Sequence, residues 1–169
     1  MDAETLRELQ APFKDKYNDT PESAVITMRA SGQLDSSQLT CKVETGRALV
    51  EAGLHPAAGG NGLTACSGDM LLEALAACAG VTINAVATAL EIPLRGGRVT
   101  AEGDLDFRGT LAVTKEAPVG FREIRLNFDL QTDADETQLA TLMKLTERYC
   151  VVFQTIKNGP TVTVSHRAV

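Results

Sequence analysis

The chain has 169 residues, of which 44% are hydrophobic and 22% charged, and its net charge is −6. That is enough chain for one domain with a sizeable core, while the acidic balance, with no Lys/Arg-rich run, speaks against nucleic acid or an anionic membrane surface as the main partner. The acidic, polar start MDAETLRELQ carries no secretory pattern, so the expectation is a cytoplasmic protein whose four cysteines, Cys41, Cys66, Cys78 and Cys150, are free or redox-active thiols.

Residues 2–17 place Leu6, Leu9, Phe13 and Tyr17 at helical spacing, with Pro12 predicting an interruption. This narrow apolar stripe suggests a helix that docks on the body or on a second subunit. Asn18 to Glu22 reads as a linker, which divides the chain into an N-terminal helical extension, residues 1–20, and a single domain, residues 21–169. Ala24–Ala30 and Gln38–Glu44 read as the two strands of a hairpin with its turn over Ser31–Ser37. A short extended piece, Ala48–Glu51, then leads into the Gly/Pro/Asn-rich stretch 52–69, long enough to be functional.

The stretch Ser67–Glu91, SGDMLLEALAACAGVTINAVATALE, predicts one long helix, apolar nearly all round, with Ser67 as N-cap and Asp69 in the first turn. Met70–Leu90 has the length of a membrane span, but Glu73, Asn84, Thr82 and Thr88 and the lack of basic flanks favour a buried helix in a protein that does not cross the membrane. Covering such a helix takes more than one layer, so a second subunit is expected over part of it. Pro93 and Gly96–Gly97 mark the end of the helical region. Arg98–Val113 predicts a strand broken at Gly103, and Phe121–Thr132 a half-buried strand with Ile124, Leu126, Phe128 and Leu130 on one side. A helix is predicted from about Glu136 to Tyr149 behind the caps Asp133 and Asp135, then a short helix over Val151–Lys157 and a closing strand over Thr161–His166. Strands and helices come in groups, which defines an α+β fold with antiparallel sheet.

The chemistry centres on the cysteines, because a thiolate is a nucleophile and a buried thiol is inert filler. Cys78 lies mid-helix, out of reach of its own helix's N-terminal dipole, and so needs a positive group from elsewhere. Cys150 ends a helix next to Arg148, which could favour its thiolate. Cys66 precedes the long helix, where local physics favours an anion as much as packing favours an inert thiol. Cys41 reads as strand filler and His166 as polar surface; His55 with Cys66 lacks a four-ligand metal spacing.

The segments LHPAAGGNG, CSGDMLLEALAACAGVTINAVA and ERYCVVFQTIKNGPTVTV, in this order, resemble the OsmC/Ohr superfamily over roughly residues 24–167. The resemblance implies an intertwined α+β homodimer with antiparallel sheets around its long buried central helices. It also implies reduction of organic hydroperoxides by a cysteine pair without metal or haem. By motif position Cys78 is the peroxidatic and Cys150 the resolving cysteine, and a dithiol reductant, in the family often lipoyl-linked, restores them. The family's activating glutamate falls on Gly68, and Asp69 beside it lies on the helix face opposite Cys78. The activating arginine has its nearest match at Gln33, with Arg47 and Arg29 as neighbours; Arg47 is taken as the candidate cation. Val151 stands where proline is common. Two functions follow: a thiol-dependent peroxidase using Cys78 and Cys150, or a non-catalytic relative that binds an apolar or thiol-bearing ligand at the dimer interface.

Overall fold

The structure is a computed structural model that describes residues 2–24, 31–35, 40–44 and 49–168. In chain order its helices and strands are α1 (Ala3–Asp19), β1 (Ser31–Asp35), β2 (Thr40–Glu44), β3 (Leu49–Gly53), β4 (Ala65–Cys66), α2 (Ser67–Ala89), β5 (Leu94–Leu105), α3 (Phe107–Thr110), β6 (Phe121–Thr132), α4 (Glu136–Tyr149) and α5 (Val151–Asn158). The grouping is α+β, as the sequence predicts. Four strands form one sheet in the order β1-β2-β3-β4, antiparallel except for the β3–β4 pair. β5 and β6 form a separate antiparallel hairpin.

The long helix α2 carries the core. Leu75, Ala79, Ile83, Val86 and Ala87 recur at helical spacing on one face and are buried. Ile83, Val86 and Ala87 pack with Ile92 and Leu142 of α4. Leu75 and Ala79 pack with Cys150 and with the inward side chains of the β5–β6 hairpin, among them Val99, Ile124 and Leu126. The opposite side of α2 is different: Leu71 and Val81 are exposed, Val81 by 72%, and Ala74 and Ala77 are exposed between them. One face of the apolar helix is therefore buried within the chain, and Leu71, Ala74, Ala77 and Val81 are left as an uncovered apolar stripe.

Several boundaries shift from the sequence reading. Pro12 lies inside α1 without breaking it; α1 docks on the body through buried Ala3 and an Arg7–Glu91 ion pair of 3.3 Å. The hairpin β1–β2 places its first strand at Ser31–Asp35, where a turn was predicted. Ala24 ends a 3-10 turn, and residues 25–30 lie outside the described residues. Cys66 rather than Ser67 is the N-cap of α2, though its side chain makes no capping bond, and Asp69 sits in the first turn as expected. The helix ends at Ala89 with Leu90 as its C-cap, within two residues of the predicted Glu91 and ahead of Pro93 and the glycines; Glu91 follows with a left-handed φ of 57°, and Ile92 N–H bonds back to Ala87 O at 2.9 Å. This closes the helix in the manner of a Schellman motif. Gly96 and Gly97 lie inside β5 at a register irregularity. A Cβ on Gly97 would lie 2.4 Å from Asp129 O, so only glycine fits there.

Strand β5 passes through Gly103 unbroken. A Cβ there would sit 2.6 Å from the Phe121 ring, so the glycine gives that ring its place across the hairpin. The second half of the predicted strand is instead the one-turn helix α3. The structure agrees with the sequence reading over β6, α4 and α5, with Asp135 and Gln138 forming a capping box on α4. Thr161–His166 forms no strand and is exposed throughout, with Val164 91% exposed.

Candidate active site

One residue separates α4 from α5, and that residue is Cys150. Its N–H donates to Thr146 O (3.0 Å) to end α4, and its C=O accepts from Gln154 N–H (2.9 Å) to begin α5. In between it takes an extended backbone, φ −73° and ψ 106°, so the chain turns a corner. Residues 142, 146 and 150 are spaced by four along α4, which carries Cys150 onto the same side as buried Leu142 and Thr146. There it packs on Leu75 and Ala79 of α2 and is only 1% exposed.

Cys78 joins the same cluster from α2 but is only partly buried. At about 100° of turn per residue, it falls at the edge between the buried face of α2 and the uncovered stripe of Leu71, Ala74 and Val81. The two sulfurs thus differ in access, one sealed in the core and one at its margin. No disulfide links the cysteines among the described residues; Cys66, Cys78 and Cys150 are free thiols.

The electrostatics separate them further. Burial alone would push the Cys78 thiol up, but hydrogen bonding from Val152 N–H, from the Cys150 thiol, from the Thr82 hydroxyl and from Val151 N–H outweighs it, and its pKa lies below the ordinary thiol value. Cys150 moves the other way: burial raises it, and the neighbouring Cys78 thiolate raises it again against the help of the Phe153 and Val152 amides. The pair titrates as a unit, and the first proton belongs chiefly to Cys78.

Among the described residues, the groups that favour a Cys78 thiolate include the first amides of α5, which have no partner inside the helix. The sequence reading missed Val151, Val152 and Thr82. Two signals were available: Thr82 stands four residues after Cys78, one turn along the same face, and the predicted helix start placed free amides beside Cys150. Arg148 does not act on Cys150. Its guanidinium lies 5.6 Å over the Tyr149 ring, on the exposed side. Arg47 and Arg29 lie outside the described residues, and for Gln33 only the backbone, in β1, is described.

Asp69 is exposed on the first turn of a helix that starts at Ser67, nine residues and about 13 Å of axial rise from Cys78, so within the chain it cannot stand in for the missing glutamate. Gly68, at the family's glutamate position, lines a cavity of about 350 Å³ with His55, Cys66 and Asp69. His55 is occupied as a cap, its Nδ1 accepting from Ala57 N–H at 3.0 Å, and its ring stacks on Phe107 at 4.8 Å. The described residues hold no cluster of three or more His, Cys, Asp or Glu that could bind a metal ion.

Fold and site together define a class: an α+β protein whose thiol pair meets between a core helix and a helix corner. The chain belongs to the OsmC-like protein family, whose family model matches residues 59–165, a span that includes both cysteines. An OsmC-like protein from Mycoplasma pneumoniae is similar in structure, with a TM-score of 0.66 and 17% identity over 79% of this chain and 89% of that one. An organic hydroperoxide resistance protein, OsmC, from Legionella pneumophila gives 0.59 and 18% over 79% and 91%. The organic hydroperoxide resistance protein OhrB of Bacillus subtilis gives 0.55 and 15% over 79% and 93%. At these identities the likeness is one of fold. No curated protein matches the chain by sequence.

Proposed function

We propose that the protein is a thiol-dependent peroxidase that reduces organic hydroperoxides through Cys78 and Cys150. The observation that carries this reading is the meeting of two free thiols in one cluster, a partly accessible Cys78 beside a buried Cys150; the surroundings lower the pKa of the first and raise that of the second. The Cys78 thiolate attacks the distal peroxide oxygen, the O–O bond breaks, and the alkoxide leaves as alcohol after taking a proton; Cys78 becomes a sulfenic acid. The Cys150 sulfur then displaces hydroxide from it, giving a disulfide and water. A dithiol, of lipoyl type by family resemblance, exchanges with that disulfide and restores both thiols. The balance is ROOH + R′(SH)2 → ROH + H2O + R′S2, with no metal or cofactor.

A second copy of the chain completes this reading as a homodimer. The uncovered stripe of α2 is the surface it would cover, and since Cys78 borders that stripe, the partner would form the far wall of the peroxide site. Apolar walls suit an organic peroxide over a charged one.

One feature favours the other reading, a protein that binds an apolar or thiol-bearing ligand without turnover: by the family resemblance, Gly68 falls where the peroxidases carry their glutamate. Cumene hydroperoxide consumption with dihydrolipoamide separates the two. The peroxidase turns over and loses turnover in Cys78→Ser and Cys150→Ser. Absence of turnover in the native protein, with Cys78 no more reactive than an ordinary thiol, overturns it.

A further inference from the structure

The helix α5 has eight residues, too few to hold its own direction in water. Its N-cap, Cys150, makes no side-chain capping bond, because its sulfur is turned into the core. Its apolar residues Val152, Phe153 and Ile156 pack against Leu75, Ala79 and Cys150 and seat one face of the helix, while its polar side carries a second restraint at the Cys150 corner. One side chain spans that corner. Gln154 Nε2 donates to Glu147 O at 2.8 Å, one of the last carbonyls of α4, which lacks a partner inside its own helix. Gln154 Oε1 in turn accepts from Asn158 Nδ2 at 2.7 Å. The amide is therefore committed at both ends, oxygen to α5 and nitrogen to α4.

We propose that Gln154 is a positioning residue: by latching α5 onto the last turn of α4 it aims the Val151 and Val152 amides at Cys78. It touches neither thiol and acts only through those amides. The latch rests on the reading of Cys78 as the thiolate nucleophile, and so its test reads ionisation rather than turnover.

The experiment follows alkylation of Cys78 by iodoacetamide across pH in the fully reduced protein, quantified on the Cys78 peptide by mass spectrometry. The variants are Gln154→Met, which keeps the length and removes the donor, and Asn158→Ala, which leaves Gln154 without its second tie. With the latch, the Cys78 midpoint rises by about half to one pH unit in Gln154→Met, the scale of a helix-terminus interaction, and by a smaller amount in Asn158→Ala. An unchanged midpoint in both overturns the proposal, even where thermal stability falls, because a merely structural tie lowers stability without moving the ionisation. Should Gln154→Met fail to fold, Asn158→Ala at the exposed end of α5 decides alone. A native protein without peroxidase turnover sinks the proposed function and leaves the midpoint comparison valid; turnover with an invariant midpoint sinks only the latch.

Discussion

Replacing Thr82 by valine tests the activation of Cys78 with the smallest change of shape. Thr82 lies one turn beyond Cys78 on α2, and its hydroxyl is one of four groups that lower the Cys78 pKa against the effect of burial. A hydrogen bond to a charged acceptor contributes about 1.5–3 kcal/mol. Cys78 is only partly buried, and screening by solvent brings the figure down to about 1 kcal/mol. That corresponds to a rise of about 0.7 pKa unit in the variant. At pH values below the ionisation of both proteins, the thiolate fraction then falls about fivefold, and the rate of oxidation by cumene hydroperoxide falls with it, because only the thiolate attacks. Above both ionisations the gap closes, since both proteins are then fully in the thiolate form. The assay is single-turnover oxidation of the reduced protein by excess peroxide, quenched at intervals and titrated for thiols, over a range of pH. A fivefold deficit persisting at every pH would mean that Thr82 shapes the site rather than its charge; no deficit at all would mean that the hydroxyl does not reach the sulfur.

Three other outcomes are expected. Leu142→Ala empties a fully buried site between Ile83, Val86, Ala87 and Ile92 and should cost about 3–4 kcal/mol in denaturant unfolding. The activity of the folded fraction should be kept, because the thiols sit in the other cluster. Asp106 should titrate at about 2 by carboxyl NMR, held down first by its bond to Arg108. A depressed carboxylate contributes stability that is present above its unfolded value and lost as pH falls through the folded one. Its share is therefore lost between about 4 and about 2, and Arg108→Gln should return the midpoint toward the ordinary 3.8. Val81→Arg puts a charge on the uncovered stripe of α2, where Val81 is 72% exposed. Sedimentation should find a dimer in the native protein and a monomer in the variant, and a native monomer would refute the second-subunit reading.

What was legible in the sequence follows from how local its cause was. Strand β6 was readable because Ile124, Leu126, Phe128 and Leu130 alternate over polar partners, and α4 because Asp135 and Gln138 satisfy its first amides from within four residues. The long helix was readable to within two residues of its end, although the residue that closes it, Glu91, adopts a left-handed backbone that asks for glycine or asparagine and carries no local signal. Gly103 read as a break, but its cause is the Phe121 ring on the neighbouring strand, eighteen residues away. The alternating segment Thr161–His166 has strand chemistry, yet among the described residues it pairs with no strand and stays exposed. The cysteine pair was readable by resemblance. Its means of activation was not, because the groups that lower the Cys78 pKa include backbone amides, which leave no residue signature.

Activation by backbone amides changes what the pH dependence should look like. A thiolate supported by a carboxylate and a cation inherits their ionisations, so its rate profile carries an additional acid limb where the carboxylate gains a proton. Amides and a threonine hydroxyl do not titrate in that range. Among the described residues the ionisable neighbour of Cys78 is Cys150, whose pKa is raised by its burial and again by the Cys78 thiolate. The two sulfurs therefore lose their protons in sequence. On the acid side, the logarithm of the oxidation rate should climb with unit slope through one ionisation, that of Cys78. A change should follow only at high pH, as Cys150 ionises and its S–H ceases to donate to the attacking sulfur. A second acid limb in the measured profile would require a carboxylate at the site. Asp69, nine residues from Cys78 on the first turn of α2, cannot be that group within one chain.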